Sequence, residues 1–88
     1  FFAHATRWID TVRGKQPFFC YLATNAPHAP LDCPDDYVAK YAGKVKDDVA
    51  KFYGMIGNID DNVGRLLDQL EAWNLSRDTI VIFLTDNG

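Results

Sequence analysis

The sequence predicts an α/β chain, a fragment of a mostly parallel sheet flanked by helices in the order helix, strand, short helix, long helix, strand. Two apolar runs, Phe18 to Ala23 and Thr79 to Leu84, are rich in aromatic and β-branched residues at consecutive positions, the pattern of strands covered on both faces. Between them lies a long stretch with apolar residues at helical spacing. A strand, a crossover containing a helix and a second strand give parallel strands joined with right-handed connection.

Phe2, Ala5, Trp8, Ile9 and Val12 recur at helical spacing, and Gly14 with Pro17 supplies a stop, so residues 2–13 read as the first helix. The strand Phe18 to Ala23 follows, bounded by Pro17 and by Thr24-Asn25-Ala26-Pro27. Three prolines, Pro27, Pro30 and Pro34, deny the stretch from Thr24 to Pro34 a regular ladder and make it an ordered loop carrying His28. A short helix is expected from Pro34 to about Tyr41, with Asp35 and Asp36 at its positive end. Val49, Phe52, Tyr53, Ile56, Ile59, Val63, Leu66, Leu67 and Leu70 then define an amphipathic helix from about Asp47 to Trp73. Thr79 to Leu84 completes the plan as the second strand. Two strands cannot cover their own faces and edges, so the chain is expected to be a piece of a larger sheet and, when isolated, either to self-associate through strand edges or to populate a loosened state.

The 88 residues suffice for at most one domain, and their composition is that of a folded chain. A net charge of -3 without a Lys/Arg cluster argues against a nucleic-acid surface. No apolar run approaches the ~18 residues of a membrane span. Cys20 and Cys33 allow one disulfide at most, and neither a CxxC nor a phosphate-binding glycine motif occurs.

In a parallel sheet, ligands bind beyond the carboxyl ends of the strands. His28 leaves the first strand and Asp86-Asn87-Gly88 leaves the second, so the topology places an imidazole, a carboxylate and an amide oxygen on one edge. Each also has a plainer reading: Asn87-Gly88 as a tight turn, Asp86 as a cap, His28 as a solvated or backbone-bonded side chain. Asp60 lies about 40° from Ile56 on the long helix, inside its apolar stripe, and is expected to be a buried structural carboxylate, whereas Asp61 points outside the stripe. Gly57 and Gly64 flank the stripe where another element is expected to approach closely.

Pro17 to Leu31 with its Asn25-Ala26-Pro27-His28-Ala29-Pro30 core, Phe52 to Ile56 followed by Ile59 to Leu67, and Thr79 to Gly88 ending in Asp86-Asn87-Gly88 occur in an order that resembles the type I sulfatases. That resemblance implies an alkaline-phosphatase-like fold and a hydrolase that cleaves sulfate esters with a formylglycine nucleophile and calcium. It assigns His28 to the sulfate and its leaving oxygen, and Asp86 and Asn87 to the metal. Neither cysteine stands in the family's C-x-P-S-R context, because Cys20 precedes Tyr21-Leu22 and Cys33 is followed by Pro34 with Tyr37 where the arginine belongs.

The chain is therefore expected to be an internal segment of a single catalytic domain, with the nucleophile upstream and further basic residues downstream. Alone it is expected to be inactive and to bind calcium weakly. A sulfated small molecule or glycan is the implied substrate. A phosphoester or phosphonate hydrolase of the same superfamily, or a non-catalytic α/β interaction module, are the alternatives. The resemblance implies a periplasmic, secreted or lysosomal setting, and Asn74-Leu75-Ser76 fits a glycosylation acceptor while Asn74 equally suits a left-handed helix C-cap.

Overall fold

The computed structural model describes residues 1–87 and is helical: α1 (Phe2–Val12), α2 (Asp35–Ala39), α3 (Asp47–Ala72) and a 3-10 turn at Ser76–Asp78. Gly88 lies outside the described residues. The expected parallel sheet is not formed, so the α/β, alkaline-phosphatase-like architecture is corrected to three helices with two extended runs. Among the described residues no strand is present, and the one bridge joins Ala42 to Val45.

The physical reason is visible in the two apolar runs. They are extended, yet no backbone hydrogen bond joins either to a neighbour among the described residues. Their side chains stand open, with Phe19 87% and Ile80 89% exposed. β-propensity records how well a residue fits a pleated surface already supplied by neighbours; it does not supply the neighbour.

The helices follow the periodicity closely. α1 buries Ala5 and Ile9 from its predicted stripe and stops before Gly14, whose φ of 75° is strained for any residue with a Cβ. α2 begins after Pro34 with Asp35 and Asp36 in its first turn. α3 is the spine, contributing Ala50, Gly54, Met55 and Leu70 to the buried set and receiving both other helices. Its end closes as a Schellman turn. Asn74 adopts φ 60°, its N–H donates to the Glu71 carbonyl at 2.9 Å, and the Leu75 N–H donates to the Leu70 carbonyl at 2.8 Å. The Thr79 hydroxyl then donates to the Leu75 carbonyl at 2.7 Å, directing the second extended run away from the helix.

Aromatic rings tie the end of α1 to the end of α3 and to the run that follows α1. The Arg13 guanidinium sits 4.5 Å from the centre of the Trp73 ring while pairing with Asp10, and Trp8 meets Phe18 edge to face at 5.9 Å.

α2 seats on α3 at Gly54. A Cβ built there would lie 2.9 Å from Cys33 Sγ, 3.2 Å from the Tyr37 carbonyl carbon and 3.2 Å from the Val38 nitrogen. The close approach is thus at Gly54, and not at the expected Gly57, whose Cβ would make ordinary contact with Tyr37 at 3.7 Å, nor at Gly64, which faces open space. A second tie joins the same helices, as the Tyr37 hydroxyl donates to Asp61 Oδ2 at 2.7 Å.

These spacings separate two alanine substitutions. Helix propensity favours each by about 1 kcal/mol. At Gly54 the new methyl meets backbone that must shift, and overpacking costs about 1–3 kcal/mol. Thermal denaturation of the protein carrying this chain should show a raised Tm for Gly64→Ala and a lowered Tm for Gly54→Ala. Equal rises would contradict the packing at Gly54.

Candidate functional site

The first extended run ends at Thr24, whose hydroxyl donates to the Ala26 carbonyl at 3.0 Å; the second ends at Thr85, whose hydroxyl donates to the Asn87 carbonyl at 2.8 Å. Each threonine therefore folds the chain back just where the run stops. In the first turn the His28 N–H donates to the Asn25 carbonyl at 3.0 Å, closing a four-residue turn from Asn25 to His28.

His28 is exposed, and its Nδ1 lies 2.7 Å from the Ala29 carbonyl oxygen. A carbonyl only accepts, so Nδ1 carries a proton and Nε2 is the ring nitrogen left to face a ligand.

Thr24, Asn25, Ala26, Pro27 and His28 from the first turn, with Asp86 and Asn87 from the second, line one concavity of ≈ 420 Å³. The three residues singled out from the sequence thus border a common space, although no ladder between the two runs holds them there. A neighbouring concavity of ≈ 400 Å³ shares Asn25, Ala26 and His28 and adds Ala29, Pro30 and Met55. Thr24, Asn25 and Met55 were not candidates on sequence grounds. The threonine at each run's end is the signal that marks the two turns, whereas Met55 reads as an ordinary core position of α3.

Asp60 takes no part. It is exposed, against the burial expected from its angle on the helix, because the flank it shares with Ile56, itself 44% exposed, lies open. The carboxylate that fastens α3 to α2 is Asp61, one residue on. This bond, followed by partial burial and the charge of Asp61, holds the Tyr37 phenol above the usual tyrosine range, while Arg65 acts in the opposite direction.

The donor set at the second turn is a carboxylate and an amide oxygen, both hard ligands of the kind a calcium ion takes. Among the described residues no three His, Cys, Asp or Glu side chains cluster as a metal site, and Asp86 and Asn87 are two oxygen donors where a calcium ion takes ~6–8. Cys20 and Cys33 are free thiols, and neither lines the concavity.

With this geometry in view, comparison with known proteins decides the family. The Sulfatase family model matches residues 1–88. The chain belongs to the sulfatase family. It is 40% identical over 76 residues to an uncharacterised sulfatase, YdeN, of Escherichia coli (strain K12), covering 83% of this chain and 13% of that protein. It is 35% identical over 86 residues to N-acetylgalactosamine-6-sulfatase of Mus musculus, covering 96% and 15%, and 24% identical over 128 residues to an arylsulfatase of Klebsiella aerogenes, covering 92% and 28%. The chain thus spans between about an eighth and just over a quarter of these sulfatases. No solved structure matches it.

Cys33 gives the packing beneath the site a chemical readout. Burial first, then the charges of Asp36, Asp32 and Asp35, push its thiol above the usual range. Both causes disfavour the thiolate, so alkylation of Cys33 should begin at higher pH than for an unperturbed thiol. A raised folded-state pKa adds stability below the unfolded thiol's pKa and loses it as pH climbs through the folded value. Mass-resolved alkylation across pH 7–10 should show Cys33 lagging a model cysteine peptide. Modification at the peptide's rate would contradict its placement against Gly54.

Proposed function

We propose that the sulfatase carrying this chain hydrolyses sulfate esters of small molecules or glycans, with His28 contacting the sulfate and its leaving oxygen and with Asp86 and Asn87 serving as metal ligands. The observation that carries this reading is the single concavity lined by His28, Asp86 and Asn87 in a chain of the sulfatase family.

The chemistry matches the residues. The Ala29 carbonyl fixes the proton on Nδ1 and orients the ring, so that Nε2 is the atom presented to an incoming ester. Protonated, Nε2 donates to a sulfate oxygen or to the leaving oxygen as its charge develops. Asn25, beside His28, has an amide that donates to a second oxygen of the same anion. Asp86 and Asn87 would hold a hard divalent cation, which when bound supplies positive charge for the sulfate oxygens. The nucleophile comes from outside this chain, and the chain alone is inactive.

Steady-state kinetics of the complete sulfatase on an aryl sulfate tests the assignment. His28→Ala should lower kcat/KM by ~10²–10⁴-fold, the usual worth of a positioned proton donor. Asp86→Ala should raise the calcium concentration needed for half-maximal activity. Wild-type turnover and unchanged calcium dependence in both variants would contradict the reading.

A further inference from the structure

We infer that Thr85 is a positioning residue for the cation ligands, its hydroxyl clamping the bend that carries Asp86 and Asn87 and so setting how tightly the site takes calcium. The inference rests on the functional reading above, in which Asp86 and Asn87 are metal ligands, and gives a task to a residue that reading leaves unused.

The two turns that border the shared concavity are held to different degrees. The first is tied by the Thr24 hydroxyl donating to the Ala26 carbonyl at 3.0 Å, the His28 N–H donating to the Asn25 carbonyl at 3.0 Å, and the His28 Nδ1–H donating to the Ala29 carbonyl at 2.7 Å. Pro27 and Pro30 fix their own φ angles as well. The second turn has a single tie among the described residues, the 2.8 Å bond from the Thr85 hydroxyl to the Asn87 carbonyl. Packing within this chain adds little there, since Phe83 and Leu84, which lead into the bend, are 74% and 69% exposed.

The place of that bond decides its consequence. It runs from Thr85 to Asn87, so the ring it closes contains the backbone of Asp86, the residue at the bend. Both ligand-bearing residues are thereby fixed relative to the run that delivers them. Threonine suits the position on two counts, because its β-branch favours the extended backbone of the run and its hydroxyl is the donor the bend uses. Without the bond, these residues would have to be ordered when a cation binds, and the entropy of that ordering would be subtracted from the affinity. The bond is neutral and open to water, so its net effect is modest, ~5-fold in an equilibrium constant.

The test is a calorimetric titration of calcium chloride into the complete sulfatase dialysed free of metal. Thr85→Val, which keeps the shape and loses the donor, should raise the calcium Kd by ~5-fold. Thr85→Ser keeps the donor and should restore the wild-type Kd. Thr79→Val is the structural control: it removes the 2.7 Å bond from the Thr79 hydroxyl to the Leu75 carbonyl at the opposite end of the same run, and should lower Tm without moving the calcium Kd. The proposal is overturned if Thr85→Val binds calcium as the wild type does, if Thr85→Ser binds as weakly as Thr85→Val, or if Thr79→Val weakens calcium binding equally. Asp86→Ala in the same titration separates the two levels of failure. Unchanged affinity in that variant would overturn the reading of Asp86 as a ligand and this inference with it, whereas weakened affinity there beside a wild-type Kd in Thr85→Val would overturn the role of Thr85 alone.

Discussion

The contact on which this chain's architecture depends is the seat of α2 on α3 at Gly54. With no Cβ on α3 at that point, the Cys33 side chain and the backbone of Tyr37 and Val38 come to distances that leave no room for a methyl group. That contact closes the proline-rich loop at its far end, and the next residue, Met55, borders the concavity that the loop's His28 also lines. One close approach therefore links helix packing to the position of the imidazole. It also places Cys33 where burial and three aspartates together disfavour its thiolate.

The other side of the site depends on how α3 ends. The left-handed Asn74 and the bonds from its turn to Leu70 and Glu71 reverse the chain, and the Thr79 hydroxyl ties the departing run to Leu75. Trp73, at the helix end, is the ring beneath the Arg13 guanidinium, so the same turn also anchors α1. The site is thus approached from two directions, by a loop set at Gly54 and by a run set at Asn74. Each arrives through a threonine that bends the chain at its last extended residue.

The helices were legible in the sequence because their signal is local. Apolar spacing and the Gly14 and Asp47 boundaries place α1 and α3 to within a residue or two, and the left-handed alternative for Asn74 is the one adopted. The sheet was not legible because consecutive β-branched and aromatic residues report a preference for a neighbour that the sequence of a run does not contain. Asp60 and Asp61 show the same limit on a helix. An angular position says which way a side chain faces along its own axis, but not whether anything stands there, and α2 arrives over Asp61. Gly54 is the glycine met by a neighbour for the same reason, since Gly57 and Gly64 differ from it only in what lies opposite. Of the residues that line the two concavities, His28, Asp86 and Asn87 stand in motifs the sequence singles out, while Asn25 and Met55 emerge only when the loop is seen folded over α3.

The most direct measure of the Gly54 contact is a double-mutant cycle on stability, pairing Gly54→Ala with Cys33→Ala in the complete sulfatase. Removing Sγ takes away the nearest atom the new methyl would meet, so the Gly54→Ala destabilisation should shrink in the Cys33→Ala background, with a coupling of about 0.5 kcal/mol or more. Additivity to within about 0.3 kcal/mol would mean that the two residues do not touch, and would contradict the account of how α2 and its loop are held on α3.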